Sequence, residues 1–170
     1  IDPAPDAAQR EILFSAALRA PDHGQLRPFR FLTVEGKARE QMGELLVQAL
    51  QQSDAEATPQ ALDKVRQGPM RAPLVVVVIA KLQDHLKVPK QEQRITAGCA
   101  AHAVLLAAFA LGVGAVWRTG ELSYSAQVAK GLGLEADEEV VAFLYLGTPQ
   151  HPPRTAPKLD TADFVSEWQG

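Results

Sequence analysis

Residues 73–80 read Pro-Leu-Val-Val-Val-Val-Ile-Ala, an unbroken apolar run near the middle of a chain of 170 residues. The length of the run and its β-branched side chains predict a strand that is buried on both faces of a sheet. Residues 139–146 form a similar run and predict another buried strand, and residues 112–118 predict a third. Residues 29–34, closed by a Glu-Gly turn, predict a fourth.

Between these runs, apolar residues recur at helical spacing, which predicts helices. The longest helix is predicted from about Lys90 to Leu111, and its second half is apolar on nearly every side. Such a helix must be covered all round, and in a chain of this size a dimer partner is a natural source of that cover. The first helix is predicted to follow a cap at Asp6 and to end at Ala20-Pro21. Three more helices are predicted over residues 42–50, 59–67 and 124–131, and residues 51–58 are predicted to form a polar linker.

The alternation of helices and strands predicts an α+β fold, an α/β sandwich, in a single domain that spans residues 1–170. Four prolines within residues 149–157 make the segment 148–170 an extended C-terminal arm. Two placements of the arm stay open, since it can embrace a partner subunit or pack on its own core. Its apolar anchors are Phe164, Val165 and Trp168.

Composition narrows the functional classes. A net charge of −3 with scattered basic residues argues against a nucleic-acid partner. The single cysteine, Cys99, and a start without a signal-peptide pattern predict a cytoplasmic protein. Residues 97–117 are long enough to cross a bilayer, but Ala and Gly gain little in lipid. We therefore expect a buried helix followed by a strand, and no membrane partner.

The signatures of several common enzyme classes are missing. No Gly-x-Gly-x-x-Gly follows a strand, and neither a phosphate-binding P-loop nor a Gly-x-Ser-x-Gly elbow occurs. The four histidines lack metal-ligand spacing, so no metal site is predicted. His102 is expected at an interface, and Cys99 is expected to be an inert buried thiol. No side chain is nominated as a catalytic acid or base.

Two polar loops stand at the ends of predicted elements. One lies within residues 19–31, Arg-Ala-Pro-Asp-His-Gly-Gln-Leu-Arg-Pro-Phe-Arg-Phe, between the first helix and the first strand. Its Pro-Asp-His-Gly portion is also typical of an ordinary β-turn. The other is Trp-Arg-Thr-Gly at residues 117–120, where Trp117 can equally be a core residue that ends its strand.

These loops belong to an ordered set of motifs. The others are Arg71-Ala72-Pro73, His85-x-Lys87-Val88-Pro89, Glu92-Gln93, Ala-Gly-Cys-Ala at 97–100 and Phe-Leu-Tyr-Leu-Gly-Thr-Pro at 143–149. In this order and spacing, from about Pro3 to Gln150, the set resembles the small bacterial NAD(P)H nitroreductases of the flavin-dependent nitroreductase family. The resemblance implies a central, mostly antiparallel sheet flanked by helices. It also implies an intertwined homodimer with two FMN sites at the subunit interface.

The resemblance points to candidate FMN contacts in the first loop. Arg19 and His23 match family positions that contact FMN, and His23 reaches the site formed with the other subunit. Asp22 and Gln25 are further FMN candidates, because a polar loop with an arginine suits the ribityl chain, phosphate or ring carbonyls.

Two more segments complete the candidate site. Trp117, Arg118 and Thr119 match the loop that lies along the flavin ring, where backbone N–H groups can face the negative charge that builds on reduction. A region assigned to the nicotinamide nucleotide matches Ala107, Ala108, Phe109, Ala110, Leu111 and Gly112.

The implied activity is that of an FMN-dependent oxidoreductase. Hydride passes from NADH or NADPH through flavin N5 to an electron-poor small molecule, such as a nitroaromatic or quinone, by a ping-pong mechanism. The alternative is a non-catalytic dimeric flavin-binding protein for storage, sensing or delivery. The family's N-terminal Arg-Arg-Ser-like motif, which helps to bind the FMN phosphate, has no counterpart here, and we expect a longer natural chain. Arg154 and Lys158 on the arm are candidate substitutes by charge alone.

Overall fold

A single sheet organises the fold in a computed structural model of the chain, which describes residues 1–152 and 155–170. Its strands are β1 (Phe29–Glu35), β2 (Leu74–Lys81), β3 (Gly114–Arg118) and β4 (Glu138–Gly147). They lie in the order β1-β2-β4-β3, and each neighbouring pair is antiparallel. All four predicted strands are present, and the two apolar runs predicted to be buried form the two central strands.

Within the described residues, five α-helices surround the sheet: α1 (Ala7–Ala17), α2 (Lys37–Ser53), α3 (Pro59–Arg66), α4 (Lys90–Ala110) and α5 (Ala126–Gly131). Side chains cap three of them. Asp6 begins α1 with a capping box, because its carboxylate accepts the Gln9 N–H while the Gln9 side chain accepts the Asp6 N–H. Thr58 and Ser125 cap α3 and α5 without a capping box, and each side chain accepts one backbone N–H.

The pleat of β2 divides the core into two halves. Val76 and Val78 point to one face of the sheet and pack with residues of α1 and α4. Val75, Val77 and Ile79 point to the other face and pack with residues of α2 and α5. Each face of the sheet therefore has its own apolar core. Burial of one side chain of this size stabilises the folded state by about 1.5–3 kcal/mol. The predicted α+β sandwich, with helices on both faces of an antiparallel sheet, is confirmed.

Several element boundaries differ from the sequence prediction. α1 ends at Ala17 and not at Ala20, while α2 continues through Ser53 into the segment predicted as a linker. β3 begins two residues later than predicted, because Gly112 adopts a left-handed φ of 70° where α4 ends. The helix predicted over residues 124–131 is interrupted at Ser125, which caps α5 after a short 3₁₀ turn.

The outer face of α4 stays exposed in the part of the chain that the structure describes, residues 1–152 and 155–170. Ala97, Ala101 and Val104 on the inner face are fully buried against the sheet. On the outer face, Leu106 is 58 % exposed and Phe109 is 74 % exposed. The helix is long and apolar enough to cross a membrane by length and composition, a test that the core helix of a soluble protein also passes. One protomer therefore leaves this face exposed, and the cover expected from a dimer partner stays a prediction.

The C-terminal arm packs little on its own protomer. Described residues from 155 to 170 are exposed, including Phe164 and Val165, and Trp168 is 92 % exposed. Of the two placements left open by the sequence, packing on its own core is not the one observed. The candidate phosphate-binding residue Arg154 lies outside the described residues.

Candidate functional site

The loop of residues 21–28, called here the His23 loop, has an unusual backbone. Gln25 and Arg27 adopt left-handed φ values of 53° and 51°, next to Gly24 at 74°. Left-handed geometry costs a non-glycine residue about 1–2 kcal/mol, so the surrounding contacts must hold it. The turn expected over residues 21–24 forms over residues 22–25, where the Gln25 N–H donates to the Asp22 carbonyl at 3.2 Å.

Asp22 is the residue that holds this backbone. Its carboxylate accepts the N–H groups of Leu26 at 3.1 Å and Arg27 at 2.8 Å, and also the Arg27 guanidinium at 2.9 Å. The side chain is only 6 % exposed. Asp22 was predicted to contact the cofactor, but its oxygens are engaged within the loop. Its position therefore suits a role in shaping the loop.

The beginning of α4 anchors the loops beside it. Thr96 Oγ donates to the Pro21 carbonyl at 2.9 Å, and Glu92 Oε2 lies 2.6 Å from His23 Nδ1. Gln93, which is fully buried, accepts the Gln83 N–H and donates to the carbonyls of Gln83 and Val88. These roles were not predicted from the sequence. The available signal was the polar composition of residues 90–96, where only Ile95 is apolar, in a helix whose second half is nearly all apolar.

A groove of about 470 Å³ lies between α1 and α4. Its apolar wall includes Ile95 and Leu106, with Cys99 half-buried beside them. Arg19 and His102 supply the polar groups. Arg19 is exposed, and its guanidinium forms no ion pair within residues 1–152 and 155–170. The groove thus combines an apolar surface with one cation that is free to meet an anionic or carbonyl group.

A second cavity, of about 680 Å³, lies where α4 ends and β3 begins. Phe109 and Gly112 of the predicted nucleotide region line it, together with Arg71, Tyr145 and His151. Burial raises the pKa of Tyr145, and the nearby cations of Arg118 and Arg71 oppose that rise.

The remaining residues of the predicted nucleotide region differ in exposure. Ala107 and Leu111 are half-buried, and Ala110 is exposed. Ala108 is fully buried in the core and presents no side-chain surface to a ligand.

The segment 117–120, called here the Trp117 loop, ends the edge strand β3. Trp117 is 36 % exposed and Thr119 is exposed, so Trp117 is not enclosed as a core residue would be. The Arg118 guanidinium lies 5.9 Å from the centre of the Tyr145 ring, within the range of a cation–π contact. The Gly120 N–H donates to Ser123 Oγ, so it is already satisfied within the loop.

The two candidate loops lie at opposite edges of the sheet. The His23 loop leads into β1, whereas the Trp117 loop ends β3, and the strands β2 and β4 separate these two edges. The structure brings Arg19 to the groove with His102 and Cys99, and brings Phe109 and Gly112 to the second cavity. The outer face of α4 lines both the groove, through Leu106, and the second cavity, through Phe109.

Comparison with known proteins agrees with this architecture. The sequence model of the Nitroreductase family matches residues 2–148. The chain is 40 % identical over 166 residues to an Escherichia coli (strain K12) protein named "Putative NAD(P)H nitroreductase YdjA", covering 97 % of this chain and 90 % of the relative.

Two solved structures share the fold at lower identity. A nitroreductase-like family protein from Bacillus cereus has a TM-score of 0.81 at 19 % identity, covering 100 % of this chain and 89 % of the other. A structure described as a "putative nitroreductase in complex with FMN", from Desulfovibrio desulfuricans, has a TM-score of 0.70 at 21 % identity, covering 98 % and 88 %. The family match and the identity across nearly the whole length show that the chain belongs to the nitroreductase family.

Proposed function

We propose that the chain is an NAD(P)H-dependent oxidoreductase that uses FMN as its cofactor. The observation that carries this proposal is the groove between α1 and α4, where Arg19, without an ion pair among the described residues, stands at the edge of an apolar wall. Relatives named as NAD(P)H nitroreductases and the fold shared with an FMN complex support it. FMN has a broad apolar ring and an anionic phosphate, so it needs a surface of this mixed kind.

The residues present fit part of FMN. Apolar side chains of the groove suit the flavin ring, and Arg19 and His23 suit the ribityl chain or ring carbonyls by charge-assisted hydrogen bonds. The phosphate end has fewer candidates among the described residues. Lys158 on the arm is exposed and carries the required charge.

Bound FMN supplies the redox chemistry, accepting hydride from NAD(P)H and delivering it to an electron-poor acceptor. The protein's own groups then bind, orient and exclude water. The Trp117 loop offers an indole surface and the backbone N–H groups of Arg118 and Thr119 to the ring. Phe109 and Gly112 at the second cavity are the candidate contacts of the nicotinamide nucleotide.

A homodimer completes this site in the proposal. The two candidate loops stand at opposite edges of one sheet, so one protomer offers only part of the cofactor's surroundings. Leu106 and Phe109 expose an apolar surface on α4 that a second copy can cover. The arm of that copy, with Phe164 and Trp168 unburied, can embrace the first protomer. Each FMN then lies between subunits, with the loops contributed by both.

The reaction consists of two half-reactions, and the reductant and the acceptor bind in turn at the same site. NAD(P)H leaves after hydride transfer, and a nitroaromatic or quinone-like acceptor takes its position, so the kinetics are ping-pong. The protein works in the cytoplasm, without nucleic-acid or membrane partners. A purified chain that takes up FMN and gives parallel lines in double-reciprocal plots at several acceptor concentrations supports this mechanism. Intersecting lines contradict it.

The competing proposal is a dimeric flavin-binding protein without catalytic activity, used for storage, sensing or delivery. It draws support from the same groove and loops, which suit FMN binding whether or not hydride is transferred. Such a binder takes up FMN but oxidises NAD(P)H no faster than free FMN does. Steady-state oxidation of NADH and NADPH by the FMN-loaded protein, compared with free FMN, therefore separates the two.

A further inference from the structure

The first turns of α4 hold the His23 loop at two points. Thr96 Oγ donates to the Pro21 carbonyl at 2.9 Å, and Glu92 Oε2 lies 2.6 Å from His23 Nδ1. Residues 92 and 96 are four positions apart in a helix and share one face, so both contacts come from the same side of α4. The loop is therefore seated on this helix, and Glu92 reaches the imidazole itself.

We propose that Glu92 is a positioning residue, which fixes the tautomer and the ring orientation of His23 for contact with FMN. This inference rests on the proposed function. An ionised carboxylate only accepts hydrogen bonds, so the Nδ1 atom of His23 carries the proton in this pair. In the neutral ring Nε2 is then an acceptor, suited to a ribityl hydroxyl or another donor of the cofactor.

The position of the pair supports a role at the site. His23 and Glu92 keep 56 % and 45 % of their side-chain surfaces exposed, so a ligand can approach the imidazole. A hydrogen-bonded pair with this much exposure contributes little to folding. Removal of Glu92 is thus expected to leave the fold intact and to act on FMN through the imidazole.

The first experiment reads the tautomer directly in the full chain without FMN. Long-range ¹H–¹⁵N NMR spectra of neutral histidine distinguish the Nδ1–H form from the Nε2–H form. We expect the Nδ1–H form for His23 in the wild-type protein and a mixture of both forms in Glu92→Ala. A His23 that is Nε2–H in the wild-type protein, or that is unchanged in Glu92→Ala, overturns the inference without any reference to FMN.

The second experiment is a double-mutant cycle on the dissociation constant of FMN. Glu92→Ala and His23→Ala are each expected to weaken binding about tenfold, the upper end of the scale for one neutral hydrogen bond, and the double variant is expected to be no weaker than His23→Ala. Glu92→Gln keeps an acceptor and is expected to restore most of the affinity. Glu44→Ala is the matched control, because it removes an exposed glutamate that pairs with Arg66 on α2 and α3.

The outcomes separate this inference from the proposed function. Wild-type FMN affinity in Glu92→Ala, or effects of Glu92→Ala and His23→Ala that add in full, overturns the positioning role alone. A wild-type chain that takes up no FMN overturns the proposed function, and this inference with it. Unfolding temperatures of all variants show whether a loss of affinity arises from loss of the fold.

Discussion

Asp22 holds Arg27 by two groups at once, since its Oδ2 accepts the Arg27 backbone N–H at 2.8 Å and the Arg27 guanidinium at 2.9 Å. Arg27 sits at a left-handed φ of 51°, a conformation that most side chains avoid. The nearly buried carboxylate thus compensates for the unfavourable backbone of the loop that carries His23. Under the proposed function, loop shape and cofactor binding are therefore coupled through a residue that need not touch the cofactor.

Replacement of Asp22 by Ala should loosen this loop. Three hydrogen bonds lose their acceptor, which is expected to cost about 1–3 kcal/mol of local stability. Hydrogen exchange of the Leu26 and Arg27 amides is expected to accelerate, and FMN binding is expected to weaken. Asp54→Ala is the control, because it removes a similar bond to the Glu56 N–H in another connection. Unchanged exchange at both amides would show that Asp22 does not hold the loop.

Replacement of Arg19 by Ala tests the cation of the groove. Loss of one charge-assisted hydrogen bond is worth about 1.5–3 kcal/mol, so the FMN dissociation constant is expected to rise roughly 10- to 100-fold. Arg19→Lys keeps the charge and should recover part of the affinity. Arg66→Ala removes an arginine from the opposite side of the sheet and should have no effect. Fluorescence titration with FMN measures all three, and wild-type affinity in Arg19→Ala would remove this residue from the site.

The ion pairs around β4 predict a specific loss of stability in acid. Hydrogen bonds from Arg30 and Arg94 lower the pKa values of Glu138 and Glu139 below 4.5, their unperturbed value. Carboxylates with a lowered pKa stabilise the fold above that value, and this stability is lost as the pH falls through the lowered pKa. Unfolding free energy is therefore expected to decrease below pH 4.5.

Glu138→Gln isolates the most buried of these groups, whose side chain is 3 % exposed. Near neutral pH the substitution should cost about 1.5–3 kcal/mol, because Arg30 loses its charged partner. Well below the pKa the wild-type carboxyl is itself neutral, so the two proteins should converge. Urea unfolding at several pH values measures this difference. A difference that stays constant with pH would contradict the assignment.

A charge on the outer face of α4 tests the dimer. Phe109→Glu places a carboxylate on the apolar surface that is expected to meet a second copy. The variant is expected to sediment as a monomer and to lose FMN binding, because each site needs both subunits. Met70→Glu, another exposed apolar residue outside this surface, is the control. A wild-type protein that is monomeric in analytical ultracentrifugation refutes the composite site.

Apolar patterning in the sequence was sufficient for the sheet and the layers. The runs at residues 73–80 and 139–146 became the central strands β2 and β4, because β-branched runs of this length can be buried on both faces. The end of α1 was predicted three residues too late. Pro21 marks the last place where the helix could end, but the N–H groups of Arg19 and Ala20 already reach back only three residues, so α1 ends at Ala17. Periodicity records apolar surface and not where a helix ends.

Less of the candidate site than of the sheet could be predicted from the sequence. Arg19 and His23 were identified through the family's motifs, but the local roles of Asp22, Glu92 and Thr96 depend on partners brought together by the fold. Glu92 and His23 are 69 positions apart in the chain, and no spacing rule connects them. The assignment of all candidate residues to FMN and nucleotide stays a prediction.

The most direct test of the flavin assignment is an anaerobic half-reaction followed by stopped-flow absorbance. The full chain is loaded with FMN, freed of excess cofactor, and mixed with NADH or NADPH and then with a nitroaromatic or quinone. We expect the yellow absorbance of FMN to bleach rapidly on mixing with NADH or NADPH and to return on mixing with the acceptor, with one NAD(P)H oxidised per FMN. A protein that stays colourless after incubation with FMN, or that keeps its colour when mixed with both reductants, would contradict it.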